Sequence, residues 1–127
     1  MVILITGATG FIGRRLSAAL RASGHRVIAA SRHPGSHDAV TADFTRDFDA
    51  GSWLPKLAGV DVVINAVGII REHGAQTFEN IHTRAPKALF AACAKAGVKK
   101  VIQISALGAD TGTTRYFTSK HAADEYL

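Results

Sequence analysis

The 127-residue sequence has one cysteine, Cys93, so it cannot form an internal disulfide. This scarcity is typical of a protein that works in a reducing compartment, and we expect a cytoplasmic location. No apolar run approaches the ~18 residues that a membrane-spanning helix needs. Met1 leads directly into strand-like residues, without the charged and apolar leader of a signal peptide. We therefore expect neither a disulfide-stabilised secreted domain nor a membrane span.

Basic residues outnumber acidic ones, 15 to 10, but they are scattered along the chain. The only adjacent basic pairs are Arg14-Arg15 and Lys99-Lys100. Nucleic-acid-binding surfaces cluster basic residues and interleave them with aromatic ones, so we expect no nucleic-acid partner. The surplus of positive charge would suit an anionic cofactor.

Metal ligands are also sparse, and we expect the six histidines to be structural. His33 and His37 are four residues apart, but Pro34 and Gly35 would break any helix that placed them on one face. No cluster of cysteine or histidine supplies further ligands, so no metal site is expected.

The stretch that organises the chain is VILITGATGFIG, from Val2 to Gly13. It predicts a strand, a tight glycine turn and the start of a helix. Gly7 permits a sharp turn, Gly10 lets the backbone approach a pyrophosphate, and Gly13 lets the helix pack closely on the strand. The free N–H groups at the helix start would face the phosphates. The spacing is GxxGxxG rather than GxGxxG, and a plain glycine-rich turn is the alternative interpretation.

After this stretch, strand-like and helix-like segments alternate, and 47% of the residues are apolar, enough for one domain with a core. This alternation predicts an α/β fold with a Rossmann-type doubly wound parallel sheet, in strand order 3-2-1-4-5. Pro86 lies inside the third helix, which should therefore kink or start later. Strands are predicted at 2–6, 25–30, 39–42, 61–67 and 100–105, and helices from 11, within 45–57, over 77–96 and from 115 to 127.

The end of the second strand indicates which dinucleotide would bind. NAD-selective sites usually carry an acidic residue about 20 residues past the glycine turn, to bind the ribose 2′-hydroxyl. Here the sequence reads Ser31-Arg32, and Arg32 could pair with a 2′-phosphate while Ser31 donates a hydrogen bond. Arg14 could join them. We therefore expect NADP, with NAD as the second choice, and an ordinary loop arginine as the alternative for Arg32.

A second motif, YFTSK, places Tyr116 and Lys120 four residues apart, on one face of the last helix. A phenol is a weak acid–base group at neutral pH, and a neighbouring ammonium favours its phenolate form. Such a pair can exchange a proton with a carbonyl or a hydroxyl while a hydride moves to or from nicotinamide. YxxxK alone is a common chance pattern, so a structural role for the two residues is the alternative interpretation.

Together these motifs resemble the short-chain dehydrogenase/reductase superfamily, along the whole chain and in order. The GxxGxxG spacing is similar to its extended and atypical branches, which include sugar-nucleotide epimerases and isoflavone-reductase-like proteins. The run Ser105 to Asp110 is most similar to the NAD(P)-binding accessory subunit of respiratory complex I. The resemblance rests on TGATGFIG, Asp43-Phe44, Asn65-Ala66-Val67-Gly68, Gln103-Ile104-Ser105-Ala106 and YFTSK.

The resemblance implies a role for each matching position. Tyr116 would be the acid–base residue and Lys120 would hold the nicotinamide ribose. Ser105 would polarise the substrate carbonyl and Asn80 would support a water relay. Ala106 stands where many members have a second serine, so a structural role for Ser105 is as probable as the catalytic one. Asn80 could equally be a residue of the first helical turn with no catalytic role. The implied cofactor contacts are Gly7, Thr9, Gly10, Phe11, Ile12 and Gly13 at the pyrophosphate, Ser31, Arg32, Asp43 and Phe44 at the adenosine, and Ala66, Val67, Gly68 and Lys120 at the riboses.

Two functions follow from the resemblance. The first is hydride transfer between NADP(H) and an unidentified carbonyl or alcohol; the second is a non-catalytic dinucleotide-binding accessory subunit or redox sensor. The family's domain continues past the YxxxK helix, so residues 1–127 are expected to be the N-terminal portion of a longer domain. The last two helices are expected to form a homodimer contact through Ala88, Ala91, Ala92, Phe117 and Ala122.

Overall fold

The computed structural model describes residues 1–35 and 38–127, so the predicted role of His37 falls outside the described residues. Within them, five parallel strands form a sheet in the order β3-β2-β1-β4-β5, as the sequence predicts. Most strands are slightly shorter than the predicted segments. They are β1 Val2–Thr6, β2 Arg26–Ser31, β3 Ala39–Thr41, β4 Val62–Asn65 and β5 Lys100–Gln103.

Helices cover both faces of the sheet, which makes the sheet doubly wound. Alternate residues of β1 point to opposite faces, so Ile3 and Ile5 pack with Leu16 and Leu20 of one helix, while Leu4 joins a larger core on the other face. The first helix, α1, spans Phe11–Ala22. The other face carries α2 (Ala50–Trp53), a 3₁₀ turn (Leu54–Leu57), α3 (Ala85–Ala96) and α4 (Arg115–Tyr126).

The helix predicted over 77–96 is divided at Pro86. A π-helical turn, Glu79–Arg84, precedes α3, and the N–H of Ala85 bonds the carbonyl of Asn80, five residues back. Proline has no N–H to donate and its ring displaces the carbonyl four residues earlier, which the wider turn accommodates. The helix ends at Gly97, whose φ of 71° is in the left-handed region.

Two of the residues expected to face a partner copy lie in the core instead. Ala88 and Ala92 are buried in the monomer, in the same cluster as Trp53 and Leu89. Because α2 and the 3₁₀ turn both pack against α3, the buried face of α3 is wider than the sequence suggests. The assignment of Ala88 and Ala92 to an outward surface is therefore wrong.

Candidate functional site

A cleft of about 280 Å³ opens at the carboxyl ends of β1, β2 and β4, where the strand order reverses. Its wall contains ten of the residues for which the sequence predicts cofactor contacts, and six others. The ten are Gly7, Thr9, Gly10, Ser31, Arg32, Asp43, Phe44, Ala66, Val67 and Gly68; the six are Ala30, Ala42, Thr45, Ile69, Gln76 and Ile81.

The glycine turn has a geometry that larger residues would disrupt. Gly7 has a φ of 67°, and a side-chain carbon on it would lie 2.8 Å from the carbonyl oxygen of Ala66. A side-chain carbon on Gly13 would lie 2.0 Å from the carbonyl oxygen of Gly7. Among the described residues, no side chain caps the start of α1 at Gly10, which leaves the first N–H groups of the helix available to a ligand. This uncapped 12-residue helix beside a glycine turn fits a dinucleotide pyrophosphate.

Three of the predicted pyrophosphate contacts do not line the cleft wall. Phe11 and Ile12 are 70% and 46% exposed in the first turn of α1, and the Arg15 guanidinium lies 5.0 Å from the Phe11 ring centroid. Gly13 is buried under the turn, where it lets α1 approach the strand. Their contacts with a cofactor stay predictions.

The adenosine side of the cleft wall contains a carboxylate, Asp43, and a guanidinium, Arg32. Asp43 accepts hydrogen bonds from the backbone N–H and the hydroxyl of Thr45, at 2.9 and 2.6 Å. Burial raises the pKa of Asp43, but these hydrogen bonds and the positive charges of Arg32 and Arg46 outweigh it and hold the pKa below its usual value. Asp43 is therefore an ionised acceptor at neutral pH, beside the exposed Arg32.

The YxxxK motif lies on α4, and neither Tyr116 nor Lys120 is part of the cleft wall itself. Lys120 is only 5% exposed. A side-chain carbon on Gly68 would lie 3.5 Å from its Nζ atom, which places the ammonium beside the loop after β4. Burial lowers the pKa of Lys120, and the carboxylate of Asp124 opposes the shift only in part. Within residues 1–35 and 38–127, no protein acceptor is hydrogen-bonded to this ammonium.

The ring of Tyr116 is half-buried and packs among other rings. Its centroid lies 5.3 Å from that of His82 and 5.9 Å from that of Phe78, both in edge-to-face contact. His82 is 2% exposed and connects to α4 through Ser119, with 3.0 Å between the His82 Nδ1 and Ser119 Oγ atoms. The position of Tyr116 thus depends on Phe78 and on His82 of the π-helical turn.

The two remaining predicted catalytic residues are engaged in structural contacts. Ser105 donates a short hydrogen bond to the carboxylate of Asp124 on α4. Asn80 donates to the carbonyl oxygen of Ala75 at 3.0 Å and accepts from Arg84 at 3.1 Å. These contacts favour the structural alternative for both residues, and their catalytic roles stay predictions.

Sequence reasoning missed several members of the site. Thr45, Gln76 and Ile81 line the cleft without belonging to a motif, and the sequence does not distinguish His82 from the other histidines. A polar residue one position after Phe44 was the only signal for Thr45. For His82, its place among apolar residues of a helix gave no signal beyond a core position.

The sheet order, the glycine turn and the cleft at the strand reversal define a Rossmann-type fold of the short-chain dehydrogenase/reductase superfamily. Residues 3–127 match the NAD dependent epimerase/dehydratase family, and the chain belongs to that family. Each helix in the described residues is too short or too polar to cross a membrane.

Two curated relatives cover almost all of the chain. A ceramide reductase of Caulobacter vibrioides is 30% identical over 129 residues, which are 98% of this chain and 41% of the reductase. Subunit 9 of the mitochondrial NADH dehydrogenase 1 alpha subcomplex of Arabidopsis thaliana is 31% identical over 140 residues, which are 98% of this chain and 34% of the subunit. The chain thus spans less than half the length of these relatives.

Solved structures share the fold of this chain at 25–26% sequence identity. The oxidoreductase ylbE from Lactococcus lactis has a TM-score of 0.80 and 26% identity, over 100% of this chain and 63% of that one. MoeE5 in complex with UDP-glucose and NAD has a TM-score of 0.76 and 25% identity, over 99% of this chain and 48% of that one. The second of these structures contains NAD.

Proposed function

We propose that the chain is the dinucleotide-binding part of an NADP-dependent oxidoreductase that acts on a carbonyl or an alcohol. The observation that carries the proposal is the position of Lys120, whose side chain is almost fully buried and whose Nζ atom lies beside Gly68 of the cleft wall. Burial lowers the pKa of this side chain, so oxygen atoms of a bound ligand would stabilise its charged form. Ribose hydroxyls of a bound dinucleotide would supply them.

In this proposal the glycine turn and the start of α1 bind the pyrophosphate. Gly7 and Gly10 present their backbone, while the first N–H groups of α1 supply donors. Asp43 and Phe44 hold the adenine side, and Ala66 to Gly68 form the wall beside the riboses. The family name and the NAD complex of MoeE5 support a nicotinamide dinucleotide at this place.

Nicotinamide, when bound, accepts or supplies the hydride. Tyr116 holds the proton that the substrate oxygen gains or loses. Lys120 lies one helical turn further along α4. Packing of the Tyr116 ring against His82 and Phe78 fixes its direction. Proton transfer by a positioned side chain of this kind contributes typically ~10²–10⁴-fold to the rate.

We further propose that NADP is preferred to NAD. Arg32 lies in the cleft wall at the end of β2, next to Ser31, where NAD-selective sites carry a carboxylate. A guanidinium can bind a 2′-phosphate through two parallel hydrogen bonds. Arg32 is close enough to Asp43 for its positive charge to lower the pKa of that carboxyl group.

A second function is a non-catalytic dinucleotide-binding accessory subunit or redox sensor. The engagement of the Ser105 hydroxyl by Asp124 favours it, because that hydroxyl is the group that would polarise a substrate carbonyl. The similarity to a subunit of mitochondrial NADH dehydrogenase agrees with it.

Tyr116→Phe in the full-length protein separates the two functions. The matched control is Tyr126→Phe, since Tyr126 is the other tyrosine of α4 and is 51% exposed near the helix end. Cofactor titration and turnover would be measured with ketones, aldehydes, UDP-glucose and ceramide, the last two taken from the names of the relatives. An enzyme loses at least ~10²-fold in turnover with Tyr116→Phe, keeps NADPH binding, and is unchanged with Tyr126→Phe.

Binding of NADPH without turnover of any compound in wild type would favour the accessory subunit instead. Failure of wild type to bind either NADPH or NADH would overturn both functions.

A further inference from the structure

His82 connects two parts of the candidate site that are distant in sequence. The backbone N–H of Ile69, in the loop after β4, lies 3.0 Å from the His82 Nε2 atom. A backbone N–H can only donate, so Nε2 accepts and carries no proton. The proton of the neutral ring is therefore on Nδ1, which lies 3.0 Å from Ser119 Oγ and donates to it.

On the α4 side, the hydrogen bonds continue past the imidazole. The Ser119 hydroxyl donates to the carbonyl oxygen of Tyr116 at 3.0 Å, and the Thr83 hydroxyl donates to the carbonyl oxygen of Ser119 at 2.8 Å. The His82 ring also lies against the Tyr116 ring. Adjacent residues of the π-helical turn thus hold the part of α4 that contains Tyr116 and Lys120.

On the cleft side, His82 binds the loop after β4, which is predicted to contact the riboses of the cofactor. Ala66, Val67, Gly68 and Ile69 all line the cleft. A side-chain carbon on Gly68 would lie 3.6 Å from His82 Nε2 and 3.5 Å from Lys120 Nζ, so both groups lie against this residue of the loop.

We propose that His82 is a positioning residue, which joins the loop after β4 to α4 and so fixes the ribose wall relative to Tyr116 and Lys120. This inference rests on the proposed dinucleotide site. The two ring nitrogens bind different elements, because Nε2 accepts from the loop and Nδ1–H donates to the helix. Only the neutral ring with the proton on Nδ1 makes both hydrogen bonds.

Burial of the imidazole supports this assignment. It lowers the pKa of His82 to about 4, with a further contribution from the positive charge of Lys120. The ring is therefore neutral at pH 7, as the acceptor role of Nε2 requires. Lys120 is the charged group that faces it, and the other groups packed against the ring are Phe78, Tyr116 and Ser119.

Two substitutions separate the two hydrogen bonds of the ring. His82→Asn places an amide N–H near the position of Nδ1, so it keeps the bond to Ser119 and loses the bond to Ile69. His82→Gln places an amide oxygen near the position of Nε2, so it keeps the bond to Ile69 and loses the bond to Ser119. Thr118→Ala is the control on the same helix, because Thr118 is exposed.

Amide hydrogen exchange would be measured residue by residue without cofactor, and NADPH affinity would be measured separately. We expect faster exchange at Ile69 in His82→Asn only, and at Ser119 and Lys120 in His82→Gln only. We expect NADPH to bind about tenfold more weakly in His82→Asn, because the ribose wall is loosened, and to bind within about threefold of wild type in His82→Gln.

Equal exchange changes in the two variants, or none in either, would overturn the proposal, since a residue that only fills the core would affect both sides alike. A crossed exchange pattern with equal NADPH affinities would overturn the part that concerns the ribose wall. If wild type binds no dinucleotide, the proposed function fails, whereas the exchange pattern still decides whether His82 joins the loop to the helix.

Discussion

The hydroxyl of Thr6 donates a hydrogen bond of 2.5 Å to the side-chain oxygen of Asn65, at the carboxyl ends of β1 and β4. Thr6 is opposite Asn65 in the sheet register, and Asn65 is opposite Gln103 of β5. The Asn65 amide nitrogen donates to the Gln103 side-chain oxygen at 2.7 Å. A polar row therefore joins three neighbouring strands directly below the cleft, with Thr6 and Asn65 almost fully buried.

Replacement of Asn65 should destabilise the domain through this row. Asn65→Leu leaves the buried Thr6 hydroxyl without its acceptor and Gln103 without its donor, and we expect a loss of ~1–3 kcal/mol in the free energy of unfolding. Urea denaturation measures it. Gln103→Leu is the comparison, because it removes one bond of the row at a half-buried edge position and should cost less. Equal losses would mean that the Thr6–Asn65 bond contributes nothing.

The glycine turn predicts different effects for two similar substitutions. Gly13→Ala forces a carbon to within 2.0 Å of the Gly7 carbonyl oxygen, so the backbone must move and stability should fall by ~1–3 kcal/mol or more. Gly10→Ala meets the same oxygen at 3.3 Å, which a small shift relieves. Thermal melts should therefore show the larger loss for Gly13→Ala.

Titration with NADPH tests whether Gly10 lies at the pyrophosphate. Gly10→Ala should fold nearly as well as wild type and bind NADPH more weakly, because its new methyl group stands where the backbone would approach the pyrophosphate. Unchanged affinity in a folded Gly10→Ala protein would argue against the pyrophosphate at this turn.

The sheet order and most of the cleft wall could be predicted because their signals are local. Glycine spacing specifies the turn at Gly7, and the apolar runs specify the strands. His82 could not be recognised in this way, because its partners Ile69 and Ser119 are 13 and 37 residues distant. A histidine among apolar helix residues has the same pattern whether it fills the core or bridges two elements.

Cofactor preference should depend on Arg32. We expect wild type to bind NADPH more tightly than NADH, and Arg32→Ala to lose that preference, a change of ~1–3 kcal/mol for a charge-assisted contact. Arg26→Ala is the matched control, because Arg26 is exposed and lies at the amino end of β2, away from the cleft. Isothermal titration with both cofactors decides it, and equal affinities in wild type would contradict the proposed NADP preference.

Buried His82 should make stability depend on pH. Its pKa is about 4 in the folded state, below the ordinary value of 6.5, so the unfolded chain binds the proton more readily. The neutral buried ring therefore adds on the order of 3 kcal/mol to the free energy of unfolding above pH ~6.5, and this stabilisation is lost as the pH falls toward about 4. Urea denaturation of wild type and His82→Gln at pH 7.0 and 5.0 tests this. The free energy of unfolding should fall more between these pH values in wild type than in His82→Gln, and an equal fall in both proteins would contradict the prediction.

The face shared by α3 and α4 leads to the last prediction, a homodimer. Lys87 Nζ lies 5.7 Å from the Tyr126 ring centroid, so the two helices run side by side there. Ala91, one turn after Lys87, is half-buried, while Tyr126 is 51% exposed. A two-fold dimer would bury this apolar patch on both copies at once, at roughly 25 cal/mol per Å² of apolar area.

Light scattering at several concentrations should give a dimer mass for wild type and a monomer mass for Ala91→Arg, because the long charged side chain would stand in the contact. Ala19→Arg carries the same change on the exposed side of α1, across the sheet, and should remain a dimer. Since Ala91 is only half-buried in the monomer, both variants should keep a cooperative melt close to that of wild type. A monomer mass for wild type at every concentration would exclude the dimer, and loss of the dimer in both variants would place the contact elsewhere.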